Sequence, residues 1–200
     1  AAGAAAARCA LETALLDLVA QHLDRPVATV LGGDDRRAAR VTVNALAADA
    51  DAACAAVARG RPCIKVKIGS APFAEDLARL SAIRDAIGPS VALRADANRA
   101  WPDDALAAHL AALAPLHLEY VEEPIAGGGR ALARLGEVPA VPLALDESLA
   151  DAHADAWLDA ALTSRQIAVL VLKPMLLGGP LRCLELAERA RAAGVDVVVS

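Results

Sequence analysis

The sequence predicts an α/β fold, a TIM-type (β/α) barrel that is incomplete, with seven strands. Three observations predict it. Short β-branched runs alternate with longer Ala/Leu/Arg/Glu segments of helical spacing. Gly-Pro at 88–89, Trp-Pro at 101–102 and Gly-Gly-Pro at 178–180 punctuate the changeovers. Five charged residues, Lys67, Asp96, Glu122, Asp146 and Lys173, each close a successive strand at intervals of 29, 26, 24 and 27 residues. Alternation of strand and helix requires crossover connections and hence a parallel sheet. An open doubly wound sheet would spread five consecutive strand ends along a line. A barrel turns all C-terminal ends toward one mouth, where the five side chains converge.

In chain order, an opening helix spans Leu11 to His22. The strands follow as Val41–Leu46, Cys63–Ile68, Val91–Asp96, Leu118–Val121, Val141–Leu145, Ile167–Leu172 and Val195–Val199. Helical spacing fills Phe73–Ile87, Asp103–Leu113 and Leu181–Ala193. Residues 1–33 read as a helix leading into the barrel and residues 34–200 as the partial barrel itself. The sequence opens without Met, inside a helical pattern, and stops after the seventh strand. A fragment is therefore expected, without the eighth strand.

Composition narrows the function classes. With 56% hydrophobic residues in 200, one sizeable core is affordable in size, and with 2% aromatics Ala, Leu and Val must fill it. A net charge of −5 with no basic stripe argues against a nucleic-acid partner. The most apolar run, Ile167–Leu177, is interrupted by Lys173 and Pro174 and is too short to span a membrane. Cys9, Cys54, Cys63 and Cys183 form no CxxC pair and read as buried, reduced thiols of a cytoplasmic protein. His22, His109, His117 and His153 lie away from strand ends and receive no role, and Trp101 and Trp157 read as packing residues. No GxGxxG follows a strand, which removes a dinucleotide-binding sheet.

The chemistry is carried by the strand ends. In Cys63-Ile-Lys-Val-Lys-Ile68, Lys65 and Lys67 share one face while Ile64, Val66 and Ile68 share the other. Taken alone, this equally suits an edge strand with two solvated lysines. Asp96, Glu122 and Asp146 each follow an apolar strand. One such acid could be a helix N-cap, but three crowded at one mouth repel and need a cation. Oxygen ligands without His or Cys suit Mg²⁺. Lys173 ends an otherwise apolar strand, so the pattern sets two amines about a metal. Such a site suits removal of a proton beside a substrate carboxylate. A dication offsets the charge that builds there, and a desolvated lysine near positive charge acts as base. Lys67 is expected to be that base, with Lys173 opposite.

These residues resemble the enolase superfamily, specifically its muconate-lactonizing subgroup. The resemblance rests on Leu11–Leu18 with Pro26 and Leu31-Gly-Gly33, then on Lys65-Val-Lys67, Asp96-Ala-Asn98, Glu122-Glu-Pro124, Asp146-Glu-Ser148 and Lys173 in family order. It implies Asp96, Glu122 and Asp146 as Mg²⁺ ligands and Lys67 and Lys173 as the acid/base pair. Lys65, Arg94, Asn98 and Glu147 would support them. It also implies that the capping domain preceding such barrels is missing. Asp96-Ala-Asn-Arg-Ala-Trp101 and Leu172-Lys-Pro174 with Leu177-Gly-Gly179 look most like the o-succinylbenzoate synthases, which implies a dehydrating lyase of menaquinone biosynthesis. Dipeptide epimerase, N-acylamino acid racemase and muconate cycloisomerase share the proton-abstraction step and remain alternatives. An inactive, truncated barrel is a further one. The expected partner is a small carboxylate substrate, and an unpaired sheet edge offers a route to a homo-oligomer.

Overall fold

The computed structural model describes residues 2–33, 41–136 and 138–200. Their elements, in chain order, are α1 (Ala2–His22), α2 (Val27–Val30), β1 (Ala45–Leu46), α3 (Ala50–Ala58), β2 (Cys63–Lys67), α4 (Phe73–Ile87), β3 (Ala92–Asp96), α5 (Leu106–Leu113), β4 (Tyr120–Glu122), α6 (Gly128–Leu132), β5 (Leu143–Leu145), α7 (Asp155–Thr163), β6 (Val169–Leu172), α8 (Pro174–Leu177), α9 (Pro180–Ala192) and β7 (Asp196–Val199). All seven expected strands are present among the described residues. Two compact units result, Thr42–Leu170 and Ala1–Val41 with Val171–Ser200. The boundary expected between residues 33 and 34 falls at residues 34–40, outside the described residues.

In the unit Thr42–Leu170, each strand from β1 to β6 pairs in parallel with the next. Sequential order is that of a (β/α)-barrel wall; a doubly wound sheet would reverse direction partway. The register sets the site. Lys67 is the partner of Asp96, Asp96 of Glu122, and Glu122 of Ala144, two residues before Asp146. Bonds beyond the strands extend this alignment: Ile68 N–H donates to Asp96 O, Ala97 N–H to Glu122 O and Glu123 N–H to Ala144 O. Because side chains alternate with period two, the aligned acids share one face. The opposite face is aliphatic, with Ile64, Val66, Leu93, Ala95, Val121, Leu143 and Leu145 all buried.

The helices follow from their own patterns. Asp49 caps α3 by accepting the Ala52 N–H at 2.8 Å. Helix α4 buries Leu80, Ile83 and Ile87 on one face and ends at Gly88, whose φ of 73° suits glycine. Its buried Asp76 accepts the Gly69 N–H at 2.6 Å, and Arg79 donates to Lys67 O at 2.8 Å. Helix α4 thereby pins the end of β2. Phe73, Trp101 and His109 form an aromatic cluster, with Phe73 stacked on His109 at 3.7 Å.

In the other unit α1 packs along α8 and α9. Glu12 accepts the Leu181 N–H at 2.7 Å at the start of α9, where Pro180 needs no donor partner. Leu186 and Ala190 are fully buried, whereas Leu11, Leu15 and Leu18 on α1 are exposed. Ser200 N–H donates to Leu172 O, placing the end of β7 beside the end of β6.

Three expectations differ. The first strand was expected over Val41–Leu46, yet among the described residues only Ala45 and Leu46 find a strand partner, and Val41 and Val43 are exposed. Apolar alternation without a neighbouring strand makes no ladder. Asp103–Leu113 opens with a 3₁₀ turn, Asp103–Ala105, before α5. Cys9, Cys63 and Cys183 are buried free thiols, but Cys54 is exposed. No helix among the described residues is long and apolar enough to cross a membrane.

Candidate active site

The ends of β2, β3, β4 and β5 bring the expected residues of the unit Thr42–Leu170 into one charged cluster. Asp96, Glu122 and Asp146 are at most 1% exposed. Lys65 Nζ lies 2.8 Å from Asp96 Oδ2 and 2.7 Å from Glu122 Oε2. Lys67 Nζ donates to the same Asp96 oxygen at 3.0 Å and to Asn98 Oδ1 at 2.7 Å. The two lysines therefore share a face, as the alternation requires, but their surroundings differ. The Lys65 side chain is 13% exposed and that of Lys67 is 59%.

Electrostatics separate the roles. Burial works against the charge on Lys65, but its bonds to Asp96 and Glu122 outweigh this and hold its pKa above the ordinary lysine value. Burial likewise pushes the Asp96 carboxyl up, and the two lysines more than offset it, holding it below the usual range. Glu122 goes the other way. Burial first, then the charge of Asp96, raise it to about 7 against the pull of Lys65, with the Asp146 carboxyl adding to the rise. Its Oε1 is buried without a hydrogen-bond partner among the described residues.

That orphaned oxygen bears on the expected metal. The donor set is three buried carboxylates with no soft ligand, chemistry that fits a hard dication. As they stand, no three His, Cys, Asp or Glu side chains among the described residues group closely enough to hold a metal ion. The Lys65 ammonium bridges two of the three expected ligands instead. The residue types fit Mg²⁺, and the lysine supplies positive charge at that point.

The supporting residues divide. Asn98, at φ 44°, donates its N–H to Asp96 Oδ1 at 3.1 Å and its Nδ2 to Glu147 Oε1 at 3.2 Å. Glu147 thus fixes the amide so that its oxygen faces Lys67. Arg94 departs from expectation. It lies two residues before Asp96 on the same face, yet its Nε donates to Glu119 at 2.6 Å and its guanidinium lies over Tyr120 at 5.0 Å. Its length carries the charge to the start of β4, so Arg94 braces the strands below the acids. Lys173 belongs to the other unit, half-buried at the start of α8.

Glu123 was missed. It follows Glu122 and by alternation should face the apolar side, but φ is 43° and the side chain turns toward the end of β5. Fully buried, it accepts the Asp146 N–H and the Ser148 N–H on Oε1, each at 2.8 Å, and the Ser148 hydroxyl at 2.8 Å and Arg99 Nε at 3.0 Å on Oε2. Arg99 Nη2 also donates to Ser148 Oγ and Asp151 Oδ2. Trp157 closes this network against Gly129, where a Cβ would run into the indole ring. The signal available in the sequence was the doubled acid before Pro124 together with Arg99 and Ser148.

Comparison with known proteins agrees with this geometry. The family model described as "Enolase C-terminal domain-like" matches residues 47–200. The chain is 29% identical to N-succinyl-L-Arg/Lys racemase of Bacillus cereus, covering 98% of this chain and 54% of that protein. It is 33% identical to chloromuconate cycloisomerase of Cupriavidus pinatubonensis, covering 96% and 53%. The crystal structure of a dipeptide epimerase from Enterococcus faecalis superposes with a TM-score of 0.81 at 28% identity, over 98% of this chain and 57% of that one. The chain spans about half the length of the relatives it matches. Strand order, the acids at the strand ends and the family match together lead to one conclusion: this chain belongs to the enolase superfamily, as an enolase C-terminal domain-like protein.

Proposed function

We propose that the whole protein moves a proton at the carbon next to a substrate carboxylate, taking one off and returning one as a racemase or epimerase, or delivering one after ring closure as a cycloisomerase. The observation that carries this is Lys67 held by Asp96 and Asn98 beside the buried acids. Asp96, Glu122 and Asp146 would hold Mg²⁺, which supplies the positive charge that offsets the second negative charge on the substrate carboxylate. Lys67 is the base. It is the more exposed of the two lysines, so its amine can meet a substrate, whereas Lys65 is enclosed by two carboxylates and keeps its proton. Lys65 steadies the acids, and Asn98 with Glu147 aims Lys67. Lys173 is assigned the complementary proton on the family resemblance alone.

The choice of substrate favours the alternatives over dehydration. The relatives above are a racemase, a cycloisomerase and an epimerase. The stretch Asp96–Trp101, which resembles o-succinylbenzoate synthase, directs Arg99 into the Glu123 network and buries Trp101 against Phe73. Those contacts support a scaffold role for both residues. The test is turnover by the full-length protein with Mg²⁺ on four substrates: N-succinyl-arginine, hydrophobic dipeptides, chloromuconate and the succinyl-hydroxycyclohexadiene carboxylate. Conversion of one of the first three, abolished by EDTA and by Lys67→Ala, is expected. Conversion of the fourth alone would restore the lyase assignment, and conversion of none would overturn the proposal.

A further inference from the structure

The buried carboxylate of Glu123 has no part in the proton transfer above, yet it collects four donors. Two are the backbone N–H groups of Asp146 and Ser148, on either side of the Glu147 peptide. The third is the Ser148 hydroxyl and the fourth is Arg99 Nε. A carboxylate at zero exposure needs such compensation, because a buried charge left unpaired is strongly destabilising. Here the compensation comes from the segment that begins with Asp146. That residue leaves β5 at φ −128° and ψ −90°, neither strand nor helix, so its direction is not set by the ladder.

Glu123 itself holds a strained backbone for a non-glycine residue, at φ 43°. Neighbouring Asn98 and Arg99 also have positive φ, 44° and 62°. Arg99 N–H donates to Glu123 O, tying the ends of β3 and β4 together. Arg99 in turn is held by Asp151. The chain of contacts therefore runs Asp151, Arg99, Glu123, Asp146 and crosses three strand ends.

We infer that Glu123 is a positioning residue: with Arg99 behind it, its carboxylate fixes the backbone at Asp146 and so sets where the Asp146 carboxylate stands beside Glu122. This rests on the reading of Asp146 as a cation ligand. The partners behind metal ligands commonly change metal affinity by about 10–100-fold when replaced. Glu123→Gln keeps an acceptor for the two N–H groups but loses the charge that holds Arg99. Glu123→Ala loses both.

The experiment is calorimetric titration of the full-length protein with Mg²⁺, below the melting temperature of every variant. Asp146→Asn, Glu123→Gln, Glu123→Ala and Leu80→Ala are compared with wild type. Leu80 is a fully buried core residue on α4 and reports the effect of lost stability alone. Expected are loss of binding in Asp146→Asn, about tenfold weaker binding in Glu123→Gln, a larger loss in Glu123→Ala, and wild-type affinity in Leu80→Ala. Should Glu123→Ala fail to fold, Arg99→Lys serves in its place, with affinity between wild type and Glu123→Gln. Glu123→Gln within twofold of wild type, with Asp146→Asn not binding, overturns the inference alone. Weakening in Leu80→Ala equal to that in Glu123→Gln also overturns it. Wild-type affinity in Asp146→Asn overturns the ligand assignment beneath it.

Discussion

Replacing Lys65 by Met removes the ammonium that bridges Asp96 and Glu122 while keeping most of the side-chain volume. At about 3 Å and an effective dielectric near 20, each of the two contacts is worth roughly 5–6 kcal/mol of gross attraction. Desolvation of the lysine cancels much of this, and breaking a buried pair costs about 3–5 kcal/mol net. Glu122 has an escape, because its carboxyl is already raised from 4.5 to about 7 and can take up a proton in place of the lost amine. The loss is therefore pH-dependent. In urea unfolding without metal, Lys65→Met should lose about 3–5 kcal/mol at pH 8, where Glu122 must either stay ionised without its partner or take its proton from a proton-poor solvent. At pH 5.5 protonation offsets part of that, and the deficit should fall below about 2 kcal/mol. A deficit under about 1 kcal/mol at pH 8, or one that is the same at both pH values, would refute the bridging role of Lys65.

The wild-type protein should show two pH windows of its own. A carboxyl raised on folding binds its proton more tightly in the native state, so the contribution of Glu122 is fully present below 4.5 and is lost as pH climbs through about 7. Asp96, lowered on folding, contributes above its unfolded value of 3.8 and loses that as pH falls through its lower native one. Mg²⁺ should accordingly raise the melting temperature more at pH 8 than at pH 5, which differential scanning calorimetry reads directly. Gly129→Ala should destabilise by about 1–3 kcal/mol in denaturant titration, because its methyl would enter the Trp157 ring and crowd Ser148.

How much of this was legible in the sequence depends on the kind of signal. Alternation placed Lys65 and Lys67 on one face and left Ile64 and Val66 fully buried on the other. Polar residues ending apolar runs located Asp96, Glu122 and Asp146, and the parallel register aligned their strands. What alternation cannot give is what happens one residue past a strand. Glu123 turns by a positive φ away from the face its number implies, so alternation points away from the residue at the end of β5 and only the doubled acid before Pro124 hints at it. Side-chain reach is equally hidden. Arg94 shares a face with Asp96 but extends to Glu119. Lys65 and Lys67 look interchangeable until their depth separates an enclosed ammonium from an accessible one. The short β1 shows the converse limit, since Val41 and Val43 have strand propensity but no strand partner among the described residues.

The role of Lys67 is tested most directly by solvent deuterium. Full-length protein in D₂O with Mg²⁺ and the substrate it turns over should place deuterium at the carbon beside the carboxylate, followed by proton NMR. Lys67→Ala should stop that exchange on the face Lys67 serves, with the fold and Mg²⁺ affinity close to wild type. Exchange at the wild-type rate on both faces in Lys67→Ala would contradict the account.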